Sequence, residues 1–138
     1  MPFEDLTFAC LDHHRPIRTG HPEVIFSAGK TCEQVKKIAE SLSMDNPEIL
    51  ATRADPELFE FLKPFFAEIS YNKDARLIII GSLPAPQTDK RILVITGGTT
   101  DIPVAEEAAL TAEAMGSPVD RLYDVGISGV HRILSRID

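Results

Sequence analysis

Residues 93–109 read Leu-Val-Ile-Thr-Gly-Gly-Thr-Thr-Asp-Ile-Pro-Val-Ala-Glu-Glu-Ala-Ala. An apolar run, Ile92 to Ile95, breaks into Gly97-Gly98-Thr99-Thr100-Asp101, and a helix pattern opens at once behind Pro103. A buried strand that turns sharply into a helix leaves its loop at the carboxyl edge of a sheet. There, unpaired backbone N–H groups and the helix dipole favour an anion. Gly97 and Gly98 admit close backbone approach, Thr99 and Thr100 offer hydroxyls, and Asp101 supplies an acceptor suited to ribose hydroxyls. The chemistry this suggests is nucleotide handling. A plainer reading stands beside it: Asp101 as a helix N-cap and the threonines as turn residues. Both roles can coexist.

A second segment, Tyr123-Asp-Val-Gly-Ile-Ser-Gly-Val-His-Arg132, follows at a distance that fits one crossover unit. Strand 91–96, helix 103–115 and strand 119–125 would make a right-handed strand–helix–strand connection with both strands parallel. Their carboxyl ends then share a rim. Thr99, Thr100, Asp101, His131 and Arg132 would surround one cleft, with Asp124 at its edge or simply bracketing a turn with Gly126. An arginine beside hydroxyls and helix-terminal amides is a sensible phosphate grip. The alternative for His131 and Arg132 is an exposed surface pair on a short helix expected over 129–136.

Upstream, the spacing predicts irregular structure over 1–21, a strand over 23–26 and a helix from Thr31. Gln34 completes a capping box there, and Val35, Ile38, Ala39 and Leu42 form the apolar stripe. A strand is expected over 49–52. Asp55 and Pro56 open a further helix whose buried face is Leu58, Phe61, Leu62 and Phe65, with Pro64 kinking or ending it. Strands over 68–71 and 77–80 follow. The Gly81–Lys90 stretch, rich in proline and serine, marks the internal boundary. On helix 103–115, Val104, Ala108, Ala112 and Met115 fall on one face, with Glu106 and Glu113 away from it. The expected fold is α/β, layered, with helix-covered parallel strands: a smaller N-terminal α/β region over 1–88, then the opening of a catalytic domain over 89–138.

Composition narrows the functional classes. The net charge is −7 over 138 residues, and neither residues 1–90 nor 91–138 carry a basic excess. That argues against nucleic acid as a partner. No apolar run approaches a membrane span, and the N-terminus lacks a signal-peptide pattern, so no membrane and a cytoplasmic location are expected. Cys10 and Cys32, the only cysteines, read as reduced thiols. Cys10-x-x-His13-His14 with Cys32 has the letters of a zinc site. Adjacent histidines seldom converge on one ion, however, and no metal site is expected. Phe59, Phe61, Phe65 and Phe66 read as core or interface, and His21 as a solvated loop residue.

The two loops carry a family resemblance. Gly97-Gly98-Thr99-Thr100-Asp101 with its helix, and His131-Arg132 after a strand, resemble the phosphoribosyl-ligand loops of the aminoimidazole-ribotide carboxylase/mutase (PurE-like) superfamily, whose fold is flavodoxin-like. The wording from Ile95 to Gly116 and from Arg121 to Arg132 is closer to one branch, the LarB family. So is Asp12-x-x-Arg15-x-x-Arg18-x-Gly20-x-Pro22-Glu23-Val24-Ile25, followed by Gly29-Lys30-Thr31 and by Thr52-Arg53.

The resemblance implies a pyridinium-3,5-biscarboxylic acid mononucleotide synthase at the entrance to nickel-pincer cofactor biosynthesis. Its substrate would be nicotinic acid adenine dinucleotide, a small-molecule nucleotide partner. The pyridinium ring would be carboxylated with carbon dioxide or bicarbonate as co-substrate, and AMP released. It implies no tightly bound cofactor, with magnesium as a candidate ion, and a homo-oligomer. It also implies a thiolate that adds to the ring so that the resulting enamine can be carboxylated. Neither Cys10 nor Cys32 matches that thiol. The family chain continues beyond the position of Asp138, so this chain is expected to be the N-terminal portion of such an enzyme. Gly97, Gly98, Thr99, Thr100, Asp101, Asp124, His131 and Arg132 are the substrate-binding candidates. Arg15, Arg18 and Lys30 are candidates for the remaining phosphate, or else ordinary surface charges. Two other classes stay open: an aminoimidazole ribotide carboxylase or mutase of purine biosynthesis, and a non-catalytic nucleotide-binding or oligomerisation module.

Overall fold

The computed structural model describes residues 3–136, so the outermost residues of the two expected regions lie outside it. The chain divides into two compact units, Met1–Leu83 and Pro84–Asp138.

The first unit is built on a four-stranded sheet of order β3(Ile25–Phe26), β4(Glu48–Thr52), β6(Leu77–Gly81), β5(Ile69–Asn72). Only β3 and β4 run parallel; β6 is antiparallel to both β4 and β5. The expected α/β fold with parallel strands is present, and the antiparallel β6 is an addition to it. The reversal between β5 and β6 is made locally, by a turn in which Asn72 Oδ1 accepts the Ala75 N–H at 2.9 Å and Arg76 adopts φ 51°. An Asx turn of this kind replaces the helix that a parallel connection requires.

Two helices cover one sheet face. In α2(Cys32–Ser43) the Thr31–Gln34 capping box forms as expected, and Val35, Ile38, Ala39 and Leu42 are buried. In α3(Pro56–Leu62) Asp55 Oδ1 accepts the Leu58 N–H at 2.8 Å. These helices pack on Ile25, Ile49, Ala51, Ile78 and Ile80. Each such fully buried branched side chain contributes about 1.5–3 kcal/mol of hydrophobic stabilisation. Leu58 and Leu62 are buried, but Phe65 lies beyond the helix end and is about half exposed, with Lys36 Nζ 3.8 Å from its ring centroid. Phe59 stacks on Tyr71 at 5.6 Å between centroids.

The segment expected to be irregular is partly regular. A hairpin of β1(Phe3–Asp5) and β2(Cys10–Asp12) precedes a short helix, α1(Arg15–Thr19). Leu11 anchors it in the core, and Glu4 accepts from the Ser41 hydroxyl of α2.

The second unit is a strand–helix–strand crossover. β7(Ile92–Ile95) and β8(Val119–Leu122) are parallel, joined through α4(Ile102–Ala114), and followed by a 3-10 turn at Ile127–Gly129 and α5(Val130–Leu134). The helix sits in a different rotation from the one expected. Ala105, Ala109 and Ala114 are buried, whereas Val104 is 65% exposed. Glu106 is drawn inward to Arg121 at 3.0 Å and to the Tyr123 hydroxyl, which donates to it at 2.6 Å; Glu113 accepts from Arg121 at 2.7 Å. Among the described residues no helix is long and apolar enough to cross a membrane.

Candidate functional site at the rim of the second unit

Because β7 and β8 are parallel and in register from Ile92↔Val119 to Ile95↔Leu122, the loops leaving them emerge at the same edge. They are stitched together there. Thr96 N–H donates to Leu122 O at 3.1 Å, Val125 N–H to Thr96 O at 3.0 Å, and Gly126 N–H to Gly97 O at 2.9 Å. Asp124 is held at φ 58°, an uncommon conformation for a residue with a side chain, and its N–H donates to Thr96 Oγ1 at 3.0 Å.

Thr96, in sequence simply the last residue of the strand over 91–96, is buried. Its signal is that a hydroxyl ends an apolar run. That hydroxyl gives the Asp124 amide a buried acceptor and so fixes the second loop against the first.

The Gly97–Asp101 loop forms a single 3-10 turn, Thr99–Asp101, that runs directly into α4. Asp101 does not cap α4 with its side chain. Its carboxylate reaches back to accept the Gly98 N–H at 3.2 Å, which closes the loop on itself. Thr99, Thr100 and Asp101 are exposed. On the facing loop, Arg132 donates from Nη1 to Asp124 Oδ1 at 2.8 Å and from Nη2 to Gly126 O at 3.5 Å. Gly126 therefore touches Gly97 through its N–H and Arg132 through its carbonyl. Arg132, Asp124, Tyr123, Val125, Ser135 and Arg136 line a pocket of about 250 Å³. Two arginines make it basic on one side. His131 is exposed on α5.

Burial, reinforced by the hydrogen bond to Glu106, pushes the Tyr123 phenol up to about 12. Tyr123 therefore stays neutral at physiological pH and acts as a donor to Glu106. The Arg121–Glu106–Glu113 cluster is a partly buried ion network that ties α4 to β8 beneath the rim.

The other candidates lie in the first unit. Arg18 is paired with Asp12 and Arg15 is exposed. Lys30 Nζ donates to Phe26 O at 2.7 Å and lines a different pocket, one to which neither Arg15 nor Arg18 contributes. Cys10 is exposed and Cys32 half-buried; burial, with Glu57 and Asp55 adding to it, raises the Cys32 thiol. That is the wrong direction for a nucleophilic thiolate. His13 is taken up by Glu4 at 3.2 Å and Asp45 at 2.9 Å. Among the described residues no three His, Cys, Asp or Glu side chains converge to hold a metal ion. At the rim one oxygen of Asp101 accepts from Gly98 and one of Asp124 from Arg132, and no metal-dependent step is assigned to it.

Comparison with known proteins bears on the first unit directly and on the rim through a relative. The LarB/PurE-like N-terminal domain family matches residues 3–82, more than half of the chain. An uncharacterized protein of Methanocaldococcus jannaschii, MJ0165, is 36% identical over 129 residues, covering 89% of this chain and 50% of its own length. The chain thus spans about half the length of the curated relative it matches. With the matched domain, the mixed α/β architecture and the parallel crossover in agreement, this chain belongs to the LarB/PurE-like family.

Proposed function

We propose that the chain serves a LarB-type synthase reaction and that its second unit holds the sugar-phosphate part of a nucleotide substrate. The observation that carries this reading is the Gly126 N–H to Gly97 O bond with Arg132 seated on the Gly126 carbonyl. It joins a Gly/Thr loop at a helix start to a cationic loop on one sheet edge, the crevice that parallel α/β folds use for phosphorylated ligands. Arg132 and Arg136 line the pocket and supply positive charge; Thr99 and Thr100, exposed on the neighbouring loop and outside that lining, offer hydroxyls, and the second carboxylate oxygen of Asp101 a ribose acceptor. Family membership directs the substrate reading to nicotinic acid adenine dinucleotide, with carboxylation of the pyridinium ring by carbon dioxide or bicarbonate and release of AMP.

Covalent chemistry of that kind needs a thiolate, and the raised Cys32 thiol does not provide one. The role assigned to these residues is therefore binding and orientation of substrate. Calorimetric titration with nicotinic acid adenine dinucleotide and, in parallel, with aminoimidazole ribotide tests it, using Asp101→Ala and Arg132→Ala as controls. Preference for the dinucleotide that weakens in both variants supports the reading. Preference for the ribotide would move the assignment to the purine-pathway branch, and binding of neither would leave a structural module.

A further inference from the structure

The first unit has a crevice of its own, built by the same topological logic on different residues. β3 and β4 are its one parallel pair, and both are followed by helices, so Ser27–Thr31 and Arg53–Asp55 leave the sheet at the same edge. Because β6 is antiparallel to β4, Arg76 at its start arrives there too. The Ala54 N–H donates to Arg76 O at 2.8 Å, and Arg76 Nε donates to Ala54 O at 3.4 Å. Together these segments line a pocket of about 270 Å³ into which Lys30, Arg53 and Arg76 bring positive charge. Two carboxylates also line it, Asp55, engaged as the cap of α3, and Glu57 in the first turn of that helix, so the cations outnumber the anions by one.

Three further features bear on what the pocket takes. The 12-residue α2 starts there. Its capping box occupies the amides of Thr31 and Gln34, while those of Cys32 and Glu33 have no partner within the helix. Ser27 is 94% buried (6% exposed) and lines the same pocket, yet its hydroxyl has no hydrogen-bond partner among the described residues. Leaving a buried hydroxyl unpaired is costly, and such a group is satisfied by an ordered water or by a bound ion. Arg53 and Arg76, both with positive φ, flank this edge.

We propose that this pocket binds a phosphoryl group, as the free ion or as a small phosphomonoester. The α2 amides and Lys30 grip the oxygens, Arg53 and Arg76 balance the charge, and Ser27 donates from beneath. Phosphate geometry suits the mixture of N–H, hydroxyl and cationic donors, and the volume leaves room for a sugar beside the phosphoryl group.

The test is a ¹H–¹⁵N correlation titration of the whole 138-residue chain at constant ionic strength, with sodium phosphate, ribose 5-phosphate and sodium chloride as separate arms. Saturable shifts at Gly29, Thr31, Cys32 and Glu33, absent with chloride, are expected. Lys30→Ala, an exposed substitution, should weaken binding about tenfold. Ser27→Ala should weaken it about threefold or more, by removing the buried donor. Tighter binding of ribose 5-phosphate identifies a monoester, and equal binding the inorganic ion. Shifts confined to Gly97–Asp101, shifts equal in chloride, or both variants binding as the parent does would overturn the proposal.

Discussion

Gly126→Ala tests the junction on which the rim depends. Gly126 has φ −60° and ψ 152°, a conformation alanine adopts freely, so no backbone strain enters. The obstacle is steric. A Cβ there would stand 2.6 Å from the Gly97 carbonyl oxygen, well inside the 3.4 Å at which ordinary contact begins, with Gly97 C and Cα at 3.3 and 3.4 Å. These are backbone atoms and cannot rotate away, so the two loops must separate. Overpacking of this kind costs about 1–3 kcal/mol, and loss of the Gly126 N–H to Gly97 O bond adds roughly 1 kcal/mol. Together these give about 2–4 kcal/mol, and a local destabilisation at the lower end, about 2 kcal/mol, already corresponds to roughly a 30-fold rise in amide exchange at Val125 and Gly126. Gly98→Ala is the matched control, because its Cβ would meet nothing nearer than 3.9 Å. Its exchange rates should stay within about twofold of the parent's, as for a substitution that disturbs no contact. Unchanged protection in Gly126→Ala, or equal loss in both variants, would refute the account of the rim.

Three further outcomes follow from the same geometry. Thr96→Val leaves the Asp124 N–H without its buried acceptor and should cost about 1–3 kcal/mol in urea denaturation; a neutral result would mean that Thr96 does not position the second loop. The raised phenol of Tyr123 means that stability is fully present below the ordinary tyrosine range and is lost as pH climbs from about 10 towards about 12. Glu106→Gln should lower that titration in an ultraviolet tyrosinate measurement, and a titration that stays put would show that burial acts alone. Exposed Cys10 should react with a maleimide at neutral pH well before Cys32, whose thiol is raised by burial and by Glu57; peptide mapping showing the reverse order would contradict the environment described.

Much of the architecture was readable where the forces are local. The Thr31–Gln34 box, the Val35–Ile38–Ala39–Leu42 stripe and the Asp55–Pro56 start each depend on residues within two helical turns, and each forms. The Gly97–Asp101 loop was legible too, because a strand that stops at two glycines and restarts as a helix leaves few other geometries.

Other elements are decided by partners distant in the chain. The β1–β2 hairpin contains no strong alternation and exists because Leu11 and Glu4 find the core and Ser41. The direction of β6 follows from its pairing with both β4 and β5, which apolar content cannot report. The rotation of α4 was beyond sequence reading for a related reason. Alanines on several sides leave a weakly amphipathic helix, and the Arg121–Glu106–Glu113 and Tyr123 contacts choose which side faces β8. Thr96 as the support for Asp124 is of the same kind. The sequence by itself thus determined the starts of α2 and α3 and the glycine-bearing turn from β7 into α4, since capping and glycine conformations are settled within a few residues. Tertiary structure alone decided strand direction, helix phase and the meeting of Gly97 with Gly126, since those depend on burial and hydrogen bonding between segments that the chain order keeps apart.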